Sequence, residues 1–575
     1  MSLVESLSEE QRKVLLANGK FVLRACPGSG KTFSVSAKIE ELLKTWDFSY
    51  QGIAALSFTN VAWKEIEKNL IDHKISFRYP HFIGTIDSFI NKYIFLPFGH
   101  LVMECCKRPE LVGEPYGTWA YPITGKGHKA YKPYFDLFSY DINGNLICIG
   151  DTSSCFFGAK WQGTGHETHI NNVKEELIKE GYANQSDANF FALKILQSYP
   201  EIGKSLVERF PYFIIDEAQD TTEIQMAIID KLVEYGLTNI ILVGDPDQSI
   251  YEWNYAKPEL FIKKYNQWNK TVLNKNRRSS QVICNYTFNL SSLETSSISV
   301  SGESDINPEV VVFDKANIND TIDYFLGLCS TYSIEVNEKN ISILFRSKSF
   351  IDLFKGTKSV GYGVSKNIWK VGDFWTKEIV KGKYLIDNGD YRTGFKLVKT
   401  ALIKCFIKKR SINKEDINKF LEKKEMKLLE FRSKVHTFIE TLPNTINTKI
   451  NDFLKAINEA NKTLNLSLKE DSSLTIEELF NDTAVQEHKG CRIGTIHSVK
   501  GETFEATLLF LNTKVSKNYT TLLKEGNYTS EEEIRNVYVA MTRPRKLLVL
   551  AVPNEKDKIA WKQVLELNIY KSELQ

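Results

Sequence analysis

The stretch Lys20–Thr32, KFVLRACPGSGKT, decides how this chain folds. An apolar run, Phe21 to Leu23, enters a loop of small residues, and a helix-compatible stretch follows from Thr32 through Leu43. A strand, a glycine loop and a helix in that order form a phosphate-binding turn. Gly28 and Gly30 let backbone N–H groups wrap a phosphate chain. Lys31 would reach the β- and γ-phosphates, the Thr32 hydroxyl would bind Mg²⁺, and the helix N-terminus adds its positive end. The expected nucleotide cradle is therefore Ala25, Cys26, Pro27, Gly28, Ser29, Gly30, Lys31 and Thr32.

This is a Walker A pattern with Ala25 in the usual first-glycine place. Its second half should be a buried strand ending in acids, and Tyr212–Asp220, YFIIDEAQD, has that form. Asp216 at the strand end would hold Mg²⁺, directly or through water. Glu217 beside it could polarise the attacking water as general base.

The bulk composition fits a multidomain globular protein. At about 100–200 residues per domain, 575 residues predict several domains. The hydrophobic fraction is 42%, without an apolar run long enough to span a bilayer. The acidic, polar start MSLVESLSEEQ does not read as a signal peptide, so the expected location is cytoplasmic. The nine cysteines lack metal-ligand spacing and read as reduced thiols. The net charge is +3, but basic residues exceed acidic ones by roughly a dozen between Lys355 and Lys434. That excess suits either a phosphate-facing surface or a solvated helical one.

Beyond these two signatures, an ordered series of motifs resembles the UvrD/Rep/PcrA-like superfamily-1A DNA helicases. It runs collinearly from Ser8 to Val552. LSEEQ at Leu7–Gln11 is similar to the Q motif, which implies that Gln11 reads the adenine edge. LSFTN, Leu56–Asn60, resembles motif Ia, with Phe58 stacking on a base and Thr59 and Asn60 on the strand. GTIDSF, Gly84–Phe89, resembles motif Ib, and LVGDPDQSIYEW, Leu242–Trp253, resembles motif III. NRRS, Asn276–Ser279, is similar to motif IV and implies that Arg278 is a γ-phosphate ligand. ILFR, Ile343–Arg346, resembles motif IVa. GTIHSVKGETF, Gly494–Phe504, resembles motif V, and RNVYVAMTR, Arg535–Arg543, resembles motif VI. The resemblance implies a catalytic set of Lys31, Asp216, Glu217, Gln248, Arg278 and Arg543, with ATP and Mg²⁺ as cofactors. Arg278 and Arg543 lie far along the chain and could reach a γ-phosphate only from a second lobe that closes on the first. There they would act like an arginine finger in cis.

The expected DNA face is Phe58, Thr59, Asn60, Thr85, Tyr251, Trp253, Thr495 and His497. Aromatics suit sequence-independent binding because every base has a π-face. Four positions depart from the family pattern. Arg277 stands where a tyrosine usually stacks on adenine, and a guanidinium plane can also stack on a base. Thr503, after Gly501 and Glu502, replaces the acid that meets the ribose. Asp87 and Asn254 remove positive charge from the expected DNA path.

The fold class implied is α/β: two RecA-like P-loop NTPase lobes, 1A and 2A, with inserted 1B and 2B subdomains. The boundaries expected are 1–93 and 189–269 for lobe 1A, and 270–346 and 487–575 for lobe 2A. Residues 94–188 would form 1B, with YFDLFSYDINGNLICIG as two short strands about an Asn-Gly turn. Residues 347–486 would form a basic, mostly helical 2B. There LIKCFIKKR, INKFLEKKEMKLLEFRSKVHTFIETL and DFLKAINEANKTL show helical period.

The expected function is an ATP-dependent helicase or translocase, moving 3′ to 5′ on single-stranded DNA or on DNA with a single-stranded tail. One alternative is a motor or regulatory subunit of an antiviral complex with a partner nuclease, as in Gabija-type systems, which KGETF and the compact insertions resemble. The other is a nucleotide-gated DNA-binding scaffold with little unwinding. None of the three involves a membrane.

Overall fold

The structure is a computed structural model. It describes residues 2–112, 138–148, 165–250, 256–301, 304–314, 317–346, 368–370, 374–387, 389, 391–409, 412, 414–461, 464, 466–469, 472–480, 490–511, 519–526 and 530–566. The chain divides into two compact units, one of Met1–Ile351 with Gly490–Gln575, the other of Asp352–Lys489.

The first unit begins with strands β1 (Lys20–Ala25), β2 (Ile53–Ser57) and β3 (Phe82–Thr85). The short strands β4 (Glu110–Leu111), β5 (Phe138–Tyr140), β6 (Leu146–Cys148) and β7 (Tyr182–Ala183) follow, then β8 (Tyr212–Asp216), β9 (Asn239–Gly244) and β10 (Asn269–Leu273). Six of these form a parallel sheet in the order β10-β1-β9-β8-β2-β3. Its strands are apolar on both faces because helices cover both. Val22, Ala54, Leu56, Phe213, Ile215, Ile240 and Leu242 enter one core. Their alternating neighbours Leu23, Ile53, Ala55, Tyr212, Ile214, Ile241 and Val243 enter the other.

Strand order positions the site. The ends of β1, β9 and β8 are neighbours, with Arg24 paired to Gly244 and Ile215 to Leu242. The glycine loop, the turn after Gly244 and Asp216 therefore open onto one crevice at the carboxyl edge of the sheet.

A second lobe of the same unit continues with β11 (Lys275–Asn276), β12 (Ile298–Ser299), β13 (Glu309–Val312), β14 (Ile341–Phe345), β15 (Arg492–Thr495), β16 (Phe504–Phe510) and β17 (Pro544–Val552). Five of them form another parallel sheet in the order β13-β17-β16-β14-β15. Strands β14 and β15 pair directly although the whole second unit lies between them in sequence. The two sheets make a two-lobed, RecA-like α/β fold.

The second unit is helical, with Phe374–Asp387, Tyr391–Ile407, Lys414–Lys423, Leu428–Thr441, Ile450–Ala460 and Ile476–Phe480. The first two helices touch backbone to backbone. A Cβ on Gly394 would lie 2.4 Å from the Gly382 carbonyl oxygen, and one on Gly382 would lie 2.9 Å from that of Gly394. The long run INKFLEKKEMKLLEFRSKVHTFIETL is not one helix. Glu425 takes a left-handed φ of 49° and the Met426 N–H returns to the Leu421 carbonyl at 3.0 Å. The reversal folds Phe431 back onto Phe420, ring centroids 5.4 Å apart, so burial of two apolar faces overrides the continuous period.

The Asn-Gly hairpin is present. Strands β5 and β6 pair antiparallel, and Asp141 accepts from the Asn143 and Asn145 N–H groups around Gly144. The thiol reading holds for Cys26, Cys105, Cys106, Cys284, Cys329, Cys405 and Cys491. Cys148 departs from it, being disulfide-bonded. Among the described residues no helix is long and apolar enough to cross a membrane, and no cluster of His, Cys, Asp or Glu could hold a metal on three such ligands.

Candidate functional site

Gly28 and Gly30 have φ of 73° and 79°, and Gly30 begins the helix Lys31–Lys44. Such left-handed positions suit the tight turn that a phosphate cradle needs. Space forbids a side chain too, since a Cβ on Gly28 would fall 2.5 Å from Asn276 Oδ1 and 2.7 Å from Arg278 Cβ. Ala25, Cys26 and Pro27 form the buried wall of the turn, and burial pushes the Cys26 thiol well up. Ser29 Oγ is buried with no hydrogen-bond partner.

Lys31 and Glu217 form an ion pair of 3.1 Å. Thr32 Oγ1 donates to Asp216 Oδ2 at 3.1 Å. Burial raises the Asp216 carboxyl, and the adjacent Glu217 charge adds to it. Burial also opposes ionisation of Glu217, but Lys31, Lys500 and a hydrogen bond from Gln219 outweigh it and hold that carboxyl low. A buried carboxylate beside a hydroxyl is an oxygen-only pair that suits a hard cation such as Mg²⁺. Glu217 itself takes a left-handed φ of 53° immediately after β8. Such strain is kept where it aims a functional group.

The second lobe completes the pocket. Arg543 Nη2 donates to Gln248 Oε1 at 3.0 Å, and Gln248 Nε2 donates to Asp245 at 2.6 Å. Arg278 donates to the Thr503 hydroxyl at 2.8 Å and the Thr542 carbonyl at 3.1 Å. Burial lowers both arginines, Arg543 to about 10, and Arg543 also depresses Arg278. Two guanidiniums near one another, Arg543 buried and Arg278 half-buried, suit an anion between them. All six residues of the expected catalytic set thus border one crevice.

Several residues that sequence reasoning passed over shape this crevice. Asn276 accepts from the Arg278 and Ser279 N–H groups at 2.8 and 3.0 Å, which folds the turn that carries Arg278. Gln219 donates to Glu217 at 2.5 Å and accepts from the Asp245 N–H at 3.1 Å. Asp220, whose side chain is 0% exposed, pairs with Lys500 of the other lobe at 2.6 Å. Arg535 Nε donates to the Ser249 carbonyl at 2.8 Å. Each lies inside a quoted motif, so its position was visible; the distant partners of Asp220 and Arg535, 280 and 286 residues away, were not.

Other expected contacts fall as follows. Gln11 is buried, donating to the Ser29 carbonyl at 3.1 Å and accepting from Ser8, so it braces the cradle. Arg277 is exposed above the cradle, its N–H on the Gly28 carbonyl at 2.9 Å. The Thr503 hydroxyl, expected at a ribose, accepts from Arg278, while Gly501 has a φ of 94° and Glu502 pairs with Arg492. Thr59, Thr85 and Thr495 each cap a following helix through the hydroxyl. Phe58 is half-buried and Asn60 exposed. His497 Nε2 lies 3.1 Å from the Ile250 carbonyl, and burial with nearby Arg346 lowers the imidazole, so it donates there as the neutral ring. Asp87 is half-buried and accepts from Asn189 and Gln225 at 3.0 and 2.8 Å, both within its own lobe. Tyr251, Trp253 and Asn254 lie outside the described residues.

Residues 7–103 and 161–269 match the family model of the UvrD/REP helicase N-terminal domain. Residues 387–556 match that of the UvrD-like helicase C-terminal domain. The chain is 26% identical over 295 residues to a probable DNA helicase II homolog of Mycoplasma capricolum, covering 49% of this chain and 40% of that one. It is 28% identical over 363 residues to the Gabija protein GajB of Bacillus cereus, 62% of either chain. It is 33% identical over 129 residues to the exonuclease/helicase protein RexA of Lactococcus lactis, covering 21% and 10%. The matched region thus spans less than two thirds of each of these relatives.

Proposed function

Because the chain belongs to the UvrD-like helicase family, we propose that it is an ATP-driven motor on DNA. The observation that carries this reading is the crevice at the carboxyl edge of the first sheet. It gathers Lys31 and Glu217 from one lobe and meets Arg278 and Arg543 of the other. ATP would lie with its phosphates in the loop 25–32. Thr32 and Asp216 would hold Mg²⁺, which neutralises charge on the β- and γ-phosphates. Lys31 leaves Glu217 for the γ-phosphate, which frees Glu217 to accept a proton from the attacking water. Gln248, Arg278 and Arg543 contact the transferring group, so the chemistry requires both lobes in register. Arg277 stacks on the adenine, and Gln11 reads its edge when it leaves Ser29.

The motor moves 3′ to 5′ on single-stranded DNA. Phe58, Tyr251 and Trp253 offer stacking surfaces, and Thr59, Asn60, Thr85, Thr495 and His497 lie on the strand's path. Residues 94–188 and 347–486 act as the 1B and 2B subdomains, and the protein works in the cytoplasm. ATPase assays with single-stranded, duplex and no DNA test the motor. Strand displacement from 3′- and 5′-tailed duplexes tests unwinding and polarity. ATPase that DNA does not stimulate would leave only a nucleotide-gated scaffold.

A second reading has its own support in the similarity to Gabija protein GajB. On that reading the motor serves a partner nuclease in antiviral defence. Co-purification with a nuclease, and loss of phage protection in a Lys31→Ala strain, would favour it.

A further inference from the structure

Asp247 precedes Gln248 in the turn after β9 and has a side chain only 2% exposed. Its carboxylate accepts from four groups in two other chain segments. Arg24 Nη2 lies at 3.2 Å, Ser291 Oγ at 2.7 Å, the Ser292 N–H at 2.9 Å and Ser292 Oγ at 2.6 Å. Arg24 Nη2 also donates to Ser292 Oγ at 2.5 Å, which closes the cluster.

Each segment feeds the phosphate crevice. Arg24 is the penultimate residue of β1 and leads directly into the glycine loop. Asp247 sits in the turn Pro246–Gln248, whose last residue meets Arg543. Ser291 and Ser292 follow the helix Gln281–Phe288, which starts just after the Asn276–Ser280 turn that carries Arg278. The Arg24–Asp247 bond stays within the first lobe, whereas the bonds from Ser291 and Ser292 to Asp247, and that from Arg24 to Ser292, cross between the lobes. A buried carboxylate with this many donors is costly to leave partly satisfied, so the cluster is held as a unit or released as one.

We propose that Asp247 is a positioning residue for catalysis. By gripping Arg24 on one lobe and Ser291 and Ser292 on the other, it sets the register in which Gln248 meets Arg543. It touches no substrate and acts through Gln248. The role rests on the ATPase reading above, but its effect on the fold can be measured separately.

The test uses the full-length protein, as wild type and as the Ser291→Ala/Ser292→Ala double variant, which cuts the cross-lobe side-chain bonds, that of Arg24 to Ser292 included, and spares the Arg24–Asp247 bond. ATP turnover with single-stranded DNA is expected to fall about tenfold in kcat with little change in KM, the pattern of an interaction that matters beyond ground-state binding. Ser291→Ala/Ser292→Thr, which keeps the second hydroxyl, should recover most of that loss. Hydrogen exchange supplies a readout independent of turnover. Faster exchange in the double variant should spread from residues 288–295 to 245–250 and to 535–543. Exchange changes confined to 288–295, with kcat within twofold of wild type, would overturn the proposal. If wild type hydrolyses no ATP, the nucleotide reading fails, while spread or confinement of exchange still decides the positioning role.

Discussion

Arg543 of the second lobe donates to Gln248 of the first at 3.0 Å, with both side chains buried. On the proposed reading, a γ-phosphate would bring the same two groups together. Arg543→Ala should lower DNA-stimulated ATP turnover by about 10³-fold or more, the usual worth of an arginine finger. Gln248→Ala removes the partner but keeps the charge and should cost less. A double-mutant cycle on kcat/KM checks the pairing, and strictly additive losses would dissolve it.

Lys31→Ala and Glu217→Gln should both abolish turnover, but they should differ in stability. Lys31→Ala strands the half-buried Glu217 carboxylate, whereas Glu217→Gln keeps the shape and removes the charge. Urea midpoints should therefore fall further for Lys31→Ala. Near-normal turnover in either variant would refute the site.

The ion pair of Asp220 with Lys500 joins the lobes at 2.6 Å. Burial raises the Asp220 carboxyl, and Lys500 opposes that shift. Lys500→Met leaves the buried Asp220 carboxylate without its countercharge and should destabilise the protein by about 3 kcal/mol. Denaturant unfolding measures it. A change under about 0.5 kcal/mol would mean the pair is solvated, like a surface bridge.

His497 makes a pH prediction. Burial, with Arg346 and Lys500 adding and Glu533 opposing, holds its imidazole below the ordinary 6.5. As pH falls through 6.5 the unfolded chain takes up a proton before the folded one. This contribution to stability is thus complete above that value and is lost as pH drops towards the folded one. Comparing urea midpoints of wild type and His497→Gln at about pH 7.5 and 5.5 isolates it. An identical pH dependence in the two proteins would remove His497 from the account.

Trp253→Ala should weaken single-stranded DNA binding by about 1–3 kcal/mol, the usual worth of one stacked base. Fluorescence anisotropy at fixed salt measures it. Unchanged affinity in a folded variant would assign Trp253 to packing instead.

Much of this protein could be read before its structure. The glycine loop, the DEAQD strand end and the two distant arginines are local patterns, because a phosphate cradle and a buried acid at a strand end each need only a few consecutive residues. The hairpin about Asn143–Gly144 was legible for the same reason. Asp87, the break at Glu425 and the disulfide at Cys148 were not. The partners of Asp87, Asn189 and Gln225, lie 102 and 138 residues away in the chain, beyond the reach of local spacing.

The sequence by itself determined which groups were on offer, a glycine loop of the kind that takes phosphates, oxygens at a strand end and two guanidiniums far along the chain. Only the tertiary structure decided who answers whom. Asp220 meets Lys500, Gln248 meets Arg543, Thr503 takes Arg278, and Asp247 ties Arg24 to Ser291 and Ser292. Local spacing can specify a turn or a cap, but which strands become neighbours follows from sheet order. That order is fixed by the burial of two apolar faces along the whole chain.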